Sequence, residues 1–355
     1  MIRVLSLFSG IGAFEKAMER LGIEHEVVNY CEIDPYAGKA YSLIHNIPQE
    51  KNLLDVTKVD TSKLENIDLV TYGFPCTDFS LVGDMKGFED ENGNRTRSGL
   101  FFEALRIIQD TKPRFAVAEN VKSLASKRFE REFDIVLNSL AAAGYNSYWR
   151  VLNAADYGIP QNRDRIFIVS IRRDLDDGSF VFPEKEELQI KMCDLLEASV
   201  DEKYYLQDTK GYFIKNSFKN EARGNGFRFC PHVAKSAEIA MTITTKSGSR
   251  MDDNFLVEID SDMTKFKFDS TNPNISPGDN FENLRIRRIT PKECFRLMGF
   301  DDRDVDILVE NGISNTQLYK MAGNSIVVDV LERLFECLLL KKKEDPDLFS
   351  MMFEM

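Results

Sequence analysis

Histidine is scarce: the 355 residues hold three, His25, His45 and His232, none near another. That leaves no cluster to ligate a metal and no recognisable histidine partner for a protease cysteine. The six cysteines (Cys31, Cys76, Cys193, Cys230, Cys294 and Cys337) include no C-x-x-C pair. This excludes the usual zinc spacings and a disulfide framework, and points to reduced, intracellular thiols. No stretch approaches the ~20 apolar residues of a membrane span. MIRVLSLFSG runs straight into a strand-like segment, without a signal region. Repeats are absent. Basic charge is in deficit too, 46 Lys and Arg against 58 Asp and Glu, and the net charge of −12 speaks at first against a nucleic-acid partner.

Placement qualifies that sum. From Gln207 to Arg250 stand eight basic residues (Lys210, Lys215, Lys219, Arg223, Arg228, Lys235, Lys246 and Arg250) against Asp208, Glu221 and Glu238. Alone, this local excess describes a solvated surface as well as a polyanion site.

A chain this long, 43% hydrophobic, can bury one large core and carry a second, smaller module. In the first half, buried-strand runs alternate with amphipathic helix patterns. RVLSLF, EVVNYC, IDLVTYGF and RFAVAEN read as strands. Gly12 to Leu21, a segment opened by Pro35, SGLFFEALRIIQDT, and roughly 129–143 before Gly144 read as helices. YNSYWRVLN and RIFIVSI close the series, with AADYGIPQNRD between them. Alternation of this kind predicts a parallel, doubly wound α/β sheet. From about Phe182 to Ile289 the pattern breaks into short strands, turns and basic residues. An apolar helix near 326–340 then needs a core and is expected to dock back on the first domain, making the second module an insertion. The tail 341–355 is expected to fray.

Four segments carry chemistry. In LFSGIGAFE, Gly10 and Gly12 lie between a strand and a helix, where bare backbone can approach a cofactor. A dinucleotide fingerprint would put a third glycine at the position of Glu15. Glu32, ending the second strand, suits ribose hydroxyls, and Asp55 of LLDVT, after a third strand, suits an adenine edge. A nucleoside cofactor without pyrophosphate fits, S-adenosylmethionine being the commonest; a structural turn plus a surface acid fits these residues equally. Cys76 of GFPC ends a strand where side chains meet ligands. Glu119 of AENV falls on the same carboxyl edge, and Arg163 and Arg165 lie two apart, on one side if extended. A thiol, an acid and a cation suit attack on a heterocycle whose ring nitrogen must be protonated. Each arginine taken singly also reads as a surface ion pair.

Together these pieces resemble the cytosine-5 DNA methyltransferases of bacteria and their phages. The matching blocks are FSGIGAFE, CEIDPYA, GFPCTDFSLVGDMKGFED, AENVKS, YGIPQNRDRIF, RRITPKECFRLMGF and MAGNSIVV, in the family's order and across essentially the whole chain. The resemblance implies a Rossmann-like S-adenosylmethionine-dependent methyltransferase sheet with helices on both faces over 1–183 and 312–355. It also implies a smaller, mostly β and loop target-recognition domain, with a hinge, over 184–311.

By the same resemblance, Cys76 adds to C6 of a flipped cytosine, Glu119 protonates N3 and Arg165 binds O2. Asn120 positions the Pro75–Cys76 turn, and Arg163 orients the acid or a phosphate. The base removing the C5 proton is not named by the motifs. The cofactor site maps to Phe8, Gly10, Gly12, Glu32, Ile33, Asp55, Val56, Gly73, Pro75, Leu100, Asn324 and Ser325. Two departures stand out: Ile33 where many relatives have an aromatic ring, and Thr77 where glutamine is usual.

A base in a duplex must be flipped out at a cost of a few kcal/mol, so the glycine-bearing segment 80–99 is expected to be a mobile lid, with Ser80 and Val82 meeting DNA. AMTITTKSGSRMDD resembles the recognition domain's threonine motif, making Thr242 a phosphate contact and Lys246, Arg250, Arg223 and Arg228 groove or phosphate contacts. The implied partner is double-stranded DNA, bound by a cytoplasmic monomer acting at the nucleoid, with or without a separate cognate restriction endonuclease. Two alternatives share the motifs: a tRNA cytosine-5 methyltransferase, and a catalytically inactive DNA-binding protein.

Overall fold

The computed structural model describes residues 1–75, 97–206, 232–250, 253–258 and 285–340. Cys76, Thr77, Ser80, Val82, most of the segment 80–99, Arg223, Arg228 and the tail 341–355 lie outside the described residues.

The chain opens with strand β1 (Ile2–Leu7), helix α1 (Ala13–Arg20), β2 (His25–Cys31) and α2 (Pro35–His45). Gly12 starts α1 from a left-handed conformation, φ 82°, which a side chain would resist. Asp34 starts α2 by accepting from the amides of Tyr36 and Ala37, with Pro35 at the first position, where its missing N–H does no harm. Next come β3 (Leu69–Tyr72), α3 (Phe101–Thr111), β4 (Phe115–Val121), α4 (Glu130–Ala142), β5 (Tyr145–Asn153), β6 (Gln161–Asn162) and β7 (Asp164–Arg172).

The main sheet has the order β2-β1-β3-β4-β7-β5. β2, β1, β3 and β4 run parallel, whereas β7 is antiparallel to both β4 and β5. The all-parallel expectation is therefore corrected to a mixed sheet. Between β5 and β7 there is a short turn, Ala154–Tyr157, and two residues of β6, but no helix. Parallel return requires a crossover, so this connection brings the chain back antiparallel.

Strand alternation divides the core. Leu5, Val70, Ala116, Ile166 and Ile168 face α3 and α4, against Phe101, Ile107, Val136 and Leu140. Val4, Leu69, Val117, Phe167 and Val169 face the opposite layer, with Phe14, Ala17 and Met18 of α1. That layer is completed by the last helix, α8 (Val328–Phe335), which continues as a wider turn over Glu336–Leu340. Rings of Phe14 and Phe335 stand 6.1 Å apart. Burying each of Leu331, Leu334 and Phe335 contributes about 1.5–3 kcal/mol, which explains why an apolar C-terminal helix folds back on α1.

Between β7 and α8 the elements are short: β8 (His232–Val233), β9 (Ala240–Met241), β10 (Phe255–Glu258) and β11 (Arg285–Arg288), then α5 (Pro291–Arg296), α6 (Asp302–Glu310) and α7 (Asn315–Asn324). β8, β10 and β11 form a three-stranded sheet, and β9 pairs in parallel with β6. The T-P-K-E run is a capping box, Thr290 and Glu293 each bonding the other's backbone amide. Glu293 also takes two 2.8 Å bonds from the buried Arg287 guanidinium. Lys16 of α1 reaches Asp301 and Asp304, fastening α6 to the first layer.

Candidate active site

A cavity of about 380 Å³ opens at the carboxyl ends of β1, β2, β3 and β4. Its floor is the turn after β1, where Phe8 and Gly10 have φ of 53° and 56°. A non-glycine residue in that region is strained by about 1–2 kcal/mol, so Phe8 needs packing to hold it there. A Cβ on Gly10 would meet nothing within 4 Å, so its bare backbone faces open space.

Glu32, just past β2, accepts from the amides of Gly10 at 2.9 Å and Asp34 at 2.7 Å. Burial lifts its carboxyl above the usual range, against the pull of those two amides and of Lys320. Asp55 is partly exposed, and the Thr57 hydroxyl and amide hold its carboxyl below the usual range. The third strand expected before Asp55 does not form. That segment makes one isolated bridge, Tyr30 with Asn52, and Asp55 instead caps the short turn Val56–Lys58. Ile33 and Leu54 leave apolar side chains 72% and 57% exposed at the rim.

Of the twelve cofactor residues expected, ten line the cavity: Phe8, Gly10, Glu32, Ile33, Asp55, Val56, Gly73, Pro75, Leu100 and Asn324. Gly12 and Ser325 are not among the lining residues. A Cβ on Gly12 would lie 2.1 Å from His45 Nε2, so this glycine makes room for the histidine. Ser325 is buried and offers its carbonyl to Arg163 at 2.7 Å.

The acid and cations form the adjoining wall. In the β4–β7 register Phe167 opposes Glu119 and Arg165 opposes Val121, so Arg165 sits diagonally across from Glu119 on the same face. Their side chains meet at 3.0 Å, 13% and 19% exposed. Burial raises the Glu119 carboxyl above its usual range, and the nearby Arg165 and Arg163 charges only partly offset this. Glu119 Oε2 lies 3.7 Å from where a Gly73 side chain would begin. Asn120, buried, donates to the Phe74 carbonyl at 3.1 Å and pins the turn that leads through Pro75 toward position 76.

The model of the C-5 cytosine-specific DNA methylase family matches residues 2–339. The chain belongs to this family. An orphan methyltransferase of Bacillus phage SPR, M.SPRI, is 34% identical over 95% of this chain and 97% of that protein. The type II methyltransferase M.HhaI of Haemophilus parahaemolyticus is 31% identical over 93% of this chain and 92% of its own. Among solved structures, the Entamoeba histolytica methyltransferase EhMeth shares the fold with a TM-score of 0.74 at 22% identity, covering 96% of this chain and 99% of its own. A Spodoptera frugiperda DNMT2 structure follows at 0.70 and 22%, covering 95% and 99%.

In this DNA methylase Arg163 is 3% exposed and donates to the carbonyls of Ile243, Gly323 and Ser325. It ties β9's neighbour and the end of α7 to the catalytic edge. Thr242 is partly buried and donates to the Asn162 carbonyl at 2.6 Å. Lys246 is exposed and lines a second cavity of about 420 Å³ with Lys203 and Arg288; Arg250 is partly exposed in the same turn.

Three residues of the site went unnamed in the sequence. Asn52 bonds the backbone of Glu32 in both directions, 3.0 Å each, and holds Glu32 at the cavity wall. Lys320 of α7 reaches across the cavity mouth to Asp34. Gln161 clasps the Leu297 carbonyl and the Ile243 amide. Only Gln161 carried a signal, standing inside YGIPQNRDRIF; Asn52 and Lys320 lie in no such block.

Proposed function

We propose that this methylase transfers a methyl group from S-adenosylmethionine to C5 of a cytosine flipped out of a specific double-stranded DNA sequence. The cavity suits such a cofactor: its volume fits a nucleoside-sized molecule, one wall carries acids and the rim is apolar. Glu32 would take the ribose hydroxyls and Asp55 the adenine edge. Ile33 and Leu54 would cover the ring, and Gly10, Gly73 and Asn324 the remainder. When bound, the cofactor supplies an electrophilic methyl group on a sulfonium.

The protein prepares the base. Cys76 as thiolate forms a bond from sulfur to C6 while Glu119 delivers a proton to N3, which makes C5 electron-rich. Arg165 holds O2 and keeps Glu119 oriented. Once C5 carries the methyl group, its proton would leave to a base, the N3 proton would return to Glu119 and the Cys76 sulfur would depart from C6, restoring the ring. The elevated Glu119 carboxyl supports its role as acid, since it keeps a proton at higher pH than an exposed glutamate does. Asn120 and Arg163 act as positioning residues.

The observation that carries this reading is the Glu119–Arg165 pair beside the Gly73–Pro75 turn. The recognition unit spans 184–311 against a catalytic unit of 1–183 and 312–355. Thr242, Lys246, Arg250, Arg223 and Arg228 are its proposed DNA contacts, and Ser80 and Val82 are those of the catalytic unit. We place the activity in the cytoplasm, in a monomer that needs no endonuclease for its own reaction. Labelled methyl from S-adenosylmethionine should enter duplex DNA at cytosine C5 and not tRNA. Label in tRNA alone would replace DNA as the substrate.

A further inference from the structure

The His45 side chain is 0% exposed, and both ring nitrogens meet acceptors. Nδ1 lies 2.7 Å from Glu19 Oε1 on α1, and Nε2 lies 3.0 Å from the Ile11 carbonyl in the turn after β1. A carboxylate and a carbonyl cannot donate to the ring, so satisfying both contacts requires two N–H groups, which only the imidazolium has. Burial opposes that charge, but the Glu19 hydrogen bond, the Glu19 and Glu15 charges and the Ile11 carbonyl outweigh it, and the imidazole pKa is held above its ordinary value. Glu19 in turn is held below the usual carboxylate range, where the His45 contact overrides the effect of burial.

Other groups nearby do not compete for the ring. Tyr41 of α2 lies against it, ring centroids 4.9 Å apart. Lys16 of α1 is turned to Asp301 and Asp304. His25 of β2 bonds the Ile23 carbonyl. Ile11 sits between Gly10, whose amide fixes Glu32, and Gly12, whose missing side chain makes room for His45. The series His45, Ile11, Gly10, Glu32 is thus continuous from a charged core group to the cavity wall.

We propose that His45 is a positioning residue for the cofactor cavity, its imidazolium clamping the Ile11 carbonyl to Glu19 and so setting the loop that aims Glu32. This rests on the reading of the cavity as the S-adenosylmethionine site. A neutral ring donates from one nitrogen only, and its other lone pair then faces an acceptor. Raising the pH through the His45 pKa therefore opens the clamp and weakens binding.

The test is calorimetric titration of the full-length protein with S-adenosylhomocysteine between about pH 6 and pH 9. Wild type should bind about tenfold more weakly at the alkaline end, the effect of a pKa about one unit apart in the free and bound forms. His45→Gln should bind weakly at every pH, without that slope. Glu19→Gln, at a more exposed position, should move the midpoint to lower pH, and it carries the test if the histidine variant fails to fold. Side-chain nitrogen NMR should find both His45 nitrogens protonated at pH 7. A flat wild-type curve, a wild-type slope in His45→Gln or a neutral ring at pH 7 would overturn the clamp. Absence of binding at every pH, by a folded protein, would overturn the cofactor reading and the clamp with it.

Discussion

Glu119 stands where a carboxyl is hard to ionise, yet two guanidiniums are near enough to keep it in place. Because burial raises its pKa, the protonated form persists to higher pH than in an exposed glutamate and is lost as pH rises through the folded value. Methyl transfer should therefore fall on the alkaline side in a pH–rate profile. Glu119→Gln should lower kcat by roughly 10²–10⁴-fold and leave calorimetric cofactor affinity within a factor of about two, well inside the tenfold that 1.4 kcal/mol represents. An equal loss of both would mean that Glu119 serves binding. At the rim, the exposed Ile33 is the aliphatic surface proposed to meet the cofactor's adenine. Ile33→Phe should tighten S-adenosylhomocysteine binding by about two- to tenfold, since an aromatic pair contributes about 0.5–1.5 kcal/mol beyond burial. Unchanged affinity would remove Ile33 from the adenine contact.

Elements put these residues in reach of one another, and their legibility varied for physical reasons. The strands and the helices after Pro35 and Gly12 were visible because period and capping residues agree locally. The direction of β7 was hidden, because it depends on what is missing between β5 and β7 rather than on β7 itself. Asp55 was given a strand that does not form, since LLDVT has the apolar start of a strand but the isolated bridge to β2 is made by Asn52 just before it. Gly12 and Ser325 stand inside the same motifs as cavity-lining residues, and in the structure Gly12 makes room for His45 and Ser325 accepts from Arg163. Asn52 and Lys320 had no local signature at all. The Arg163 cross-tie permits a direct check. Arg163→Met leaves the Ile243, Gly323 and Ser325 carbonyls without this donor and should destabilise by at least about 3 kcal/mol, given about 1–3 kcal/mol for each unsatisfied buried group. Urea denaturation would show the shift in midpoint; a midpoint within error of wild type would mean that solvent or a neighbour replaces the guanidinium.

Across the whole molecule acid outnumbers base, 58 Asp and Glu against 46 Lys and Arg. The net charge of −12 limits non-specific adhesion to nucleic acid, while Lys246 and Arg250 are carried on the turn after β9, next to Thr242. If Lys246 meets a phosphate, Lys246→Gln should weaken binding to cognate and unrelated duplexes alike and reduce the slope of log affinity against log salt by about one. A change confined to the cognate sequence would instead make Lys246 a base reader. The central claim joins Cys76, the Glu119–Arg165 wall and the cofactor cavity into one reaction on DNA. It is tested most directly by conversion-based sequencing of plasmid from cells producing the wild-type protein or Cys76→Ala. Methylated cytosines in one fixed sequence context, absent with the variant, are the predicted result. An unmethylated plasmid beside a soluble, cofactor-binding wild-type protein, or equal methylation with Cys76→Ala, would contradict it.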